Sequence, residues 1–149
     1  MKITKPEFWD KNIGIISILL IPITIFFIFL TKIKKKIVRK HKFKIPIICV
    51  GNIYVGGTGK TPLSILLASE LSKLGKKTAI LRKYYKDHKD EYDLINKTQN
   101  YLIVNKDRVQ GIREAENLKF NSVILDDGLQ DYSINKDIKI SCFNSNRLI

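Results

Sequence analysis

Between an apolar run, Ile45 to Val50, and a segment whose leucines fall at helical spacing lies Gly56-Gly57-Thr58-Gly59-Lys60-Thr61. Few folds accommodate that order. A strand, a glycine-rich turn ending in Gly-Lys-Thr and then a helix form a device for holding phosphate. Glycines let the backbone curl until successive N–H groups point at one anion, and the helix N-terminus adds partial positive charge. Gly56, Gly57, Thr58, Gly59, Lys60 and Thr61 are therefore the expected nucleotide-binding residues. Lys60 would reach the β- and γ-phosphates of a nucleoside triphosphate, and the Thr61 hydroxyl would hold Mg2+. The loop is a variant, because Tyr54 stands where such loops carry their first glycine and the nearest upstream glycine is Gly51. The plain alternative is a glycine-rich turn with Lys60 merely exposed.

Downstream, apolar runs alternate with polar, helix-like stretches. Leu63, Leu66, Leu67, Leu71 and Leu74 mark a helix over 62–74, with Gly75 where a C-terminal cap belongs. Strands are expected at 77–81, 101–104, 122–125 and 138–143, and a helix at 107–118. Residues 82–100 are strongly polar and read as a loop with room for one helical turn. Strands alternating with helices predict an α/β domain with a largely parallel sheet over 45–149. Ser122-Val123-Ile124-Leu125 runs into Asp126-Asp127. In a parallel sheet the C-terminal strand ends gather at one edge, where a carboxylate can hold Mg2+ bridging phosphate oxygens. Asp126 and Asp127 join Thr61 as candidate metal ligands, although Asp-Gly is also an ordinary turn.

The formal net charge is +13, and residues 1–44 carry eleven Lys/Arg against two acids, so +9 of it lies there. That clustering, beside an apolar run rather than over a folded face, favours a membrane surface over nucleic acid. Ile13 to Leu30 are 18 consecutive uncharged residues. As a helix they would measure about 27 Å, close to the hydrocarbon thickness. Residues 1–44 thus read as a membrane anchor with a basic juxtamembrane segment, either spanning or lying in the interface. Eight Lys/Arg follow the run and three precede it, which puts the remainder on the cytoplasmic side of the membrane. Cys49 and Cys142 lack metal or redox spacing and read as buried hydrophobes. His41 and His88 are isolated.

Two blocks, Cys49 to Pro62 and Ile124-Leu125-Asp126-Asp127-Gly128-Leu129-Gln130, together resemble the tetraacyldisaccharide 4'-kinases of lipid A biosynthesis. That family also lacks the early glycine, has Gly-Asn where Gly51-Asn52 stand and continues with proline after the threonine. Its Asp-Asp-Gly-Phe-Gln-His is matched with Leu129 for Phe and Asp131 for His. Ala79-Ile80-Leu81-Arg82 fits the strand after the first helix, and an N-terminal membrane-associating segment is a family feature. The resemblance implies a phosphate-loop NTPase-like fold, ATP and Mg2+, and a membrane-embedded acylated disaccharide 1-phosphate phosphorylated at its 4'-hydroxyl. Lys60 and Asp127 would be catalytic, and Asp90 of Lys89-Asp90-Glu91-Tyr92 would be the base, although only two acids match there. Asp107-Arg108 is similar to the family's Asp-Arg before a helix. Arg108 would contact phosphate or acceptor, or lie on the surface. Arg82-Lys83-Tyr84-Tyr85 lacks the glycine of the family's Arg-Gly-Tyr.

Family members are about twice this length, so a truncated domain, incomplete relative to the family, is expected, and it would leave a sheet edge uncovered. Two other readings are a membrane-tethered nucleotide switch and an inactive fragment. Against the switch, no lysine lies between Gly51 and Lys60. Deleting residues 1–31 is expected to move the protein from the membrane pellet to the supernatant on ultracentrifugation. Continued sedimentation with membranes would refute the anchor.

Overall fold

The structure, a computed structural model, describes residues 14–52, 59–85 and 89–143, leaving aside the side chains at 16, 17, 89 and 91. It comprises two compact units, Met1–Val38 and Arg39–Ile149.

The described part of the first unit is a helix, α1 (Ile15–Ile37). The two threonine hydroxyls are satisfied within the helix: Thr24 donates to the Leu20 carbonyl at 3.0 Å and Thr31 to that of Phe27 at 2.8 Å. Lys34, Lys35 and Lys36 fill the last turn, where cations suit the carbonyl end of the helix dipole. Leu19, Ile25, Phe26 and Phe27 are exposed. The expected span begins outside the described residues, at 13, and includes the side chains at 16 and 17. Among the described residues no helix is long and apolar enough to cross a membrane.

The second unit is an α/β domain. In chain order it contains β1 (Ile47–Asn52), α2 (Lys60–Lys73), β2 (Thr78–Lys83), α3 (Lys89–Asn96), β3 (Tyr101–Asn105), α4 (Arg108–Asn117), β4 (Ser122–Asp126) and β5 (Ile138–Cys142). The strands form one sheet in the order β3-β2-β4-β1-β5, and every pairing is parallel. The expected helix-flanked parallel sheet is what forms. Residues 39–46 belong to this unit. The His41 amide donates to the Ser133 carbonyl at 2.7 Å and the Lys44 amide to Glu116 Oε1 at 2.5 Å.

Chain direction determines which face each helix covers. From β1 through β2 to β3 the chain moves outward one way, and then it returns to insert β4 between β2 and β1. Right-handed crossovers put the connections of those two legs on opposite faces. One core accordingly packs Val50, Ala68, Ile80, Ile95 and Ile124 beneath α2 and α3. The other packs Cys49, Leu81, Ile112, Ala115, Val123 and Leu125 beneath α4, with Ile134 from the β4–β5 connection. β4, at the centre, is buried at all five positions. The period of two along a strand then assigns Val50, Ile80 and Ile124 to the α2 face, with every residue two further along.

One element differs from the sequence reading. Residues 89–96 form the eight-residue α3 rather than a loop with a single turn. Its polarity hid it, because a single isoleucine, Ile95, is fully buried, and such contacts hold a short helix that propensity alone does not.

α4 lies close to the sheet at Gly111, where an added Cβ would stand 2.5 Å from Leu81 Cδ1 and 3.3 Å from Asn105 Cβ. Leu81 is fully buried and has nowhere to turn. Alanine would gain about 0.5–1 kcal/mol in helix propensity against about 1–3 kcal/mol of overpacking. Gly111→Ala is expected to lower the midpoint of thermal unfolding, and a raised midpoint would contradict the close packing.

Candidate functional site

β1, β2 and β4 end at the same edge of the sheet, and their last α2-facing positions are Asn52, Arg82 and Asp126. α2 begins at that edge, immediately after Gly59, whose φ of +77° places it in the left-handed region that glycine enters without strain. Its first residues are Lys60 and Thr61. The structure therefore brings together Gly59, Lys60, Thr61, Asp126 and Asp127 from the expected site. Gly56, Gly57 and Thr58 lie outside the described residues.

Asp126 is the centre of the arrangement and is fully buried in its side chain. Its Oδ2 accepts from the Thr61 hydroxyl at 3.0 Å and lies 3.1 Å from Arg82 Nη1, and its Oδ1 takes the Ser64 hydroxyl at 3.4 Å. Arg82 Nη1 also donates to Thr61 Oγ1 at 3.3 Å. Arg82 and Asp126 are register partners on adjacent strands, so their pairing follows from the ladder itself. Burying a carboxylate costs several kcal/mol unless it is paired and hydrogen-bonded, and here both conditions are met.

Lys60 is held differently. Its ammonium donates to Asn52 Oδ1 at 3.0 Å and stands 3.6 Å from Asp127 Oδ1. Asp127 leaves the strand with φ +65°, so its carboxylate stays 60% exposed beside the buried Asp126. Two adjacent aspartates thus receive opposite environments. Gly51 points to the other face, where an added Cβ would meet Leu129 Cγ and Cδ1 at 2.5 Å. That contact joins the loop's strand directly to the Asp-Asp-Gly-Leu turn.

Asp90 sits exposed in the first turn of α3. Tyr92 ties that helix to the end of β2. Its hydroxyl accepts from the Tyr85 amide at 2.8 Å and faces the carbonyls of Lys83 and Tyr85 at 3.2 Å. The Tyr92 ring lies 5.7 Å from the Arg82 guanidinium. Arg108 is not on the surface: its side chain is 12% exposed and bonds Asp127 and Asp131. Burial pushes the thiols of Cys49 and Cys142 up, in keeping with hydrophobic packing rather than reactivity.

Arg82, Ser64, Asn52 and Tyr92 were not read from the sequence as site residues. Strand parity could have placed Asn52 and Arg82, two beyond Val50 and Ile80. Ser64 is one helical turn from Thr61. Tyr92 carried no such signal.

Thr61 and Asp126 offer oxygen ligands only, which suits Mg2+. Among the described residues no group of three or more His, Cys, Asp or Glu could hold a metal ion. A cation here would need phosphate oxygens and water to complete its shell, as Mg2+ at nucleotide sites commonly does.

The family model described as tetraacyldisaccharide-1-P 4'-kinase matches residues 16–149. Over 146 residues the chain is 42% identical to the tetraacyldisaccharide 4'-kinase of Pelagibacter ubique (strain HTCC1062), covering 97% of the chain and 46% of that relative. With the enzyme of the same name from Aliarcobacter butzleri (strain RM4018) the identity is 36%, covering 88% of the chain and 46% of the relative. A crystal structure described as the "apo" form of LpxK from Aquifex aeolicus in complex with ATP superposes with a TM-score of 0.66 at 27% identity, over 82% of this chain and 47% of that one. The chain spans about half the length of the curated relatives it matches.

Removing one partner of the buried pair is expected to be costly. Arg82→Met should destabilise the second unit by about 3–5 kcal/mol in urea unfolding. Adding Asp126→Asn should recover much of that, since it removes the uncompensated charge while the amide oxygen accepts from one of the two hydroxyls and the amide NH2 donates to the oxygen of the other. Fully additive losses would show that the two side chains are not coupled.

Proposed function

Since the chain belongs to the tetraacyldisaccharide-1-P 4'-kinase family, we propose that it binds ATP and takes part in phosphorylating the 4'-hydroxyl of a tetraacyl glucosamine disaccharide 1-phosphate. One observation carries this reading: Lys60 and Thr61, opening α2, converge on Asp126 and Asp127 at the end of β4. The chemistry is transfer of the γ-phosphoryl group. The acceptor oxygen forms a bond to the γ-phosphorus, the bond from that phosphorus to the β–γ bridging oxygen breaks, and ADP leaves.

Each side chain has a role set by its position. Lys60 would meet the β- and γ-phosphate oxygens with its positive charge, turning from Asn52 and Asp127. Thr61, Asp126 and Asp127 would hold Mg2+, which when bound neutralises charge on the phosphate oxygens. Arg82, already against Asp126 and Thr61, supplies a second fixed cation at the same edge. Such charge, prearranged on rigid elements, is the main means by which proteins accelerate phosphoryl transfer. Asp90, on the helix that Tyr92 ties to β2, would take the proton of the acceptor hydroxyl.

The N-terminal region supports work at a bilayer. α1 exposes apolar side chains along its length, its threonine hydroxyls are satisfied internally, and basic residues 32–44 follow. A multiply acylated acceptor stays in the membrane, so an enzyme acting on it must reach the membrane surface. The proposed location is the cytoplasmic face of the bacterial inner membrane, where basic residues meet anionic lipid.

Two variants test the assignment in an assay of phosphate transfer to a lipid acceptor, with nucleotide binding measured in parallel. Lys60→Ala is expected to weaken ATP binding and to cut transfer by at least about a hundredfold. Asp90→Ala should leave ATP binding intact and abolish transfer. An unaffected rate would remove Asp90 as the base, and acceptor-independent ATP hydrolysis as the main activity would overturn the kinase reading.

A further inference from the structure

Asp127 is held from both faces of the sheet. On the α2 side the Lys60 ammonium stands 3.6 Å from its carboxylate. On the α4 side Arg108, the first residue of that helix, donates from Nη2 to its backbone carbonyl. The Asp127 amide donates to the Val50 carbonyl at 2.8 Å. The residue so held has φ +65°, in the left-handed region, which aspartate enters more readily than most side chains but still at a cost, so the contacts around it help to hold it there.

Arg108 is itself fixed. Asp107 caps α4 by accepting the Val109 amide at 2.8 Å, and Asn105 Oδ1 accepts the Asp107 amide at 3.0 Å. Arg108 Nη1 lies 3.5 Å from Asp131 Oδ2. The other Asp131 oxygen takes the Ser133 hydroxyl at 2.5 Å and the Ser133 amide at 3.1 Å. The Asp131 amide closes the turn on the Gly128 carbonyl at 3.1 Å, and Lys136 donates to the Asp131 carbonyl. Burial pushes the Asp131 carboxyl up, but the Ser133 bonds, then Arg108 and Lys136, hold it below the usual carboxylate range. The carboxylate is therefore charged at neutral pH and the pair stays intact. Arg108 Nε is buried and has no partner among the described residues. A buried guanidinium with one donor unsatisfied adds little to stability by itself, so its contribution is better sought in the geometry it enforces.

We propose that Arg108 is a positioning residue for phosphoryl transfer, acting with Asp131 to keep Asp127 in its left-handed conformation and so to direct the Asp127 carboxylate toward the opening of α2. The inference rests on the kinase reading above. It differs from a direct contact between Arg108 and substrate, because the arginine acts on the Asp127 backbone. Its effect on the reaction must therefore pass through the Asp127 carboxylate.

A double-mutant cycle on the full chain separates these possibilities. Arg108→Met should lower kcat about tenfold while leaving the KM for ATP within about twofold. Arg108→Lys, which still offers a donor to the carbonyl, should recover part of that loss. Asp127→Gly accepts the positive φ without strain and has no carboxylate to aim. In that background Arg108→Met should have no further effect on kcat, and an equal loss in both backgrounds would overturn the proposal. Hydrogen–deuterium exchange reads the clamp without any activity. The amides of residues 127–131 should exchange at least about tenfold faster in Arg108→Met and Asp131→Asn, with β1 amides unchanged. Unchanged exchange at 127–131 would likewise overturn it. Should Arg108→Met loosen the whole domain, Arg108→Lys and Asp131→Asn decide the matter by the same readouts. If the unmutated chain binds ATP but transfers nothing, the kinase reading fails, while the exchange measurement still decides the clamp.

Discussion

A carboxylate buried at the end of the central strand sets the terms for everything around it. Asp126 cannot be tolerated there as a lone charge, so its oxygens must be met by groups from other elements. Thr61 and Ser64 meet it from successive turns at the start of α2, and Arg82 meets it from the neighbouring strand. Those contacts draw the start of α2 against the C-terminal ends of β2 and β4. With α2 so placed, Lys60 falls between Asn52 and Asp127. The end of the phosphate loop is thus positioned by the same interaction that makes a buried charge bearable.

The sheet divides labour between neighbours. Because strand side chains alternate, Asn52, Arg82 and Asp126 share one face with Val50, Ile80 and Ile124, whereas Gly51 turns to the other and packs on Leu129. Asp127 escapes the alternation by turning left-handed as the strand ends. Two consecutive aspartates consequently have different surroundings, one dry and ion-paired, the other wet and within reach of a lysine. Identical side chains acquire different capacities through backbone geometry, a pattern suited to the cation and phosphate chemistry proposed for this site.

Helices bring the remaining groups to the edge. α3 is short and polar, and depends on Ile95 in the core and on the Tyr92 hydroxyl at the end of β2. α4 begins at Asp107 and Arg108 on the opposite face, closely packed through Gly111. The N-terminal helix is of another kind: apolar side chains exposed along it, lysines at its end, and no acidic residue among them. On that chemistry rests the proposed contact with a lipid surface, as the proposed nucleotide site rests on the second unit.

Much of this was legible in the chain read as a string. The alternation of strands and helices, the turn Gly59-Lys60-Thr61 that opens α2 and the strand running into Asp126-Asp127 are local patterns, written in residues a few positions apart. The polar segment 89–96 concealed α3, because the contacts that hold that helix lie outside it. Nothing local announced that β4 would lie between β1 and β2, and that insertion is what sets Asp126 beside Arg82 and 3.0 Å from a threonine 65 residues earlier. Nor did the sequence tell that Arg108 would leave the surface to grip the turn at Asp127. Periodicity and turn chemistry depend on near neighbours and survive in one dimension. Ion pairing and backbone clamping depend on strand order and register, which exist only once distant segments have met.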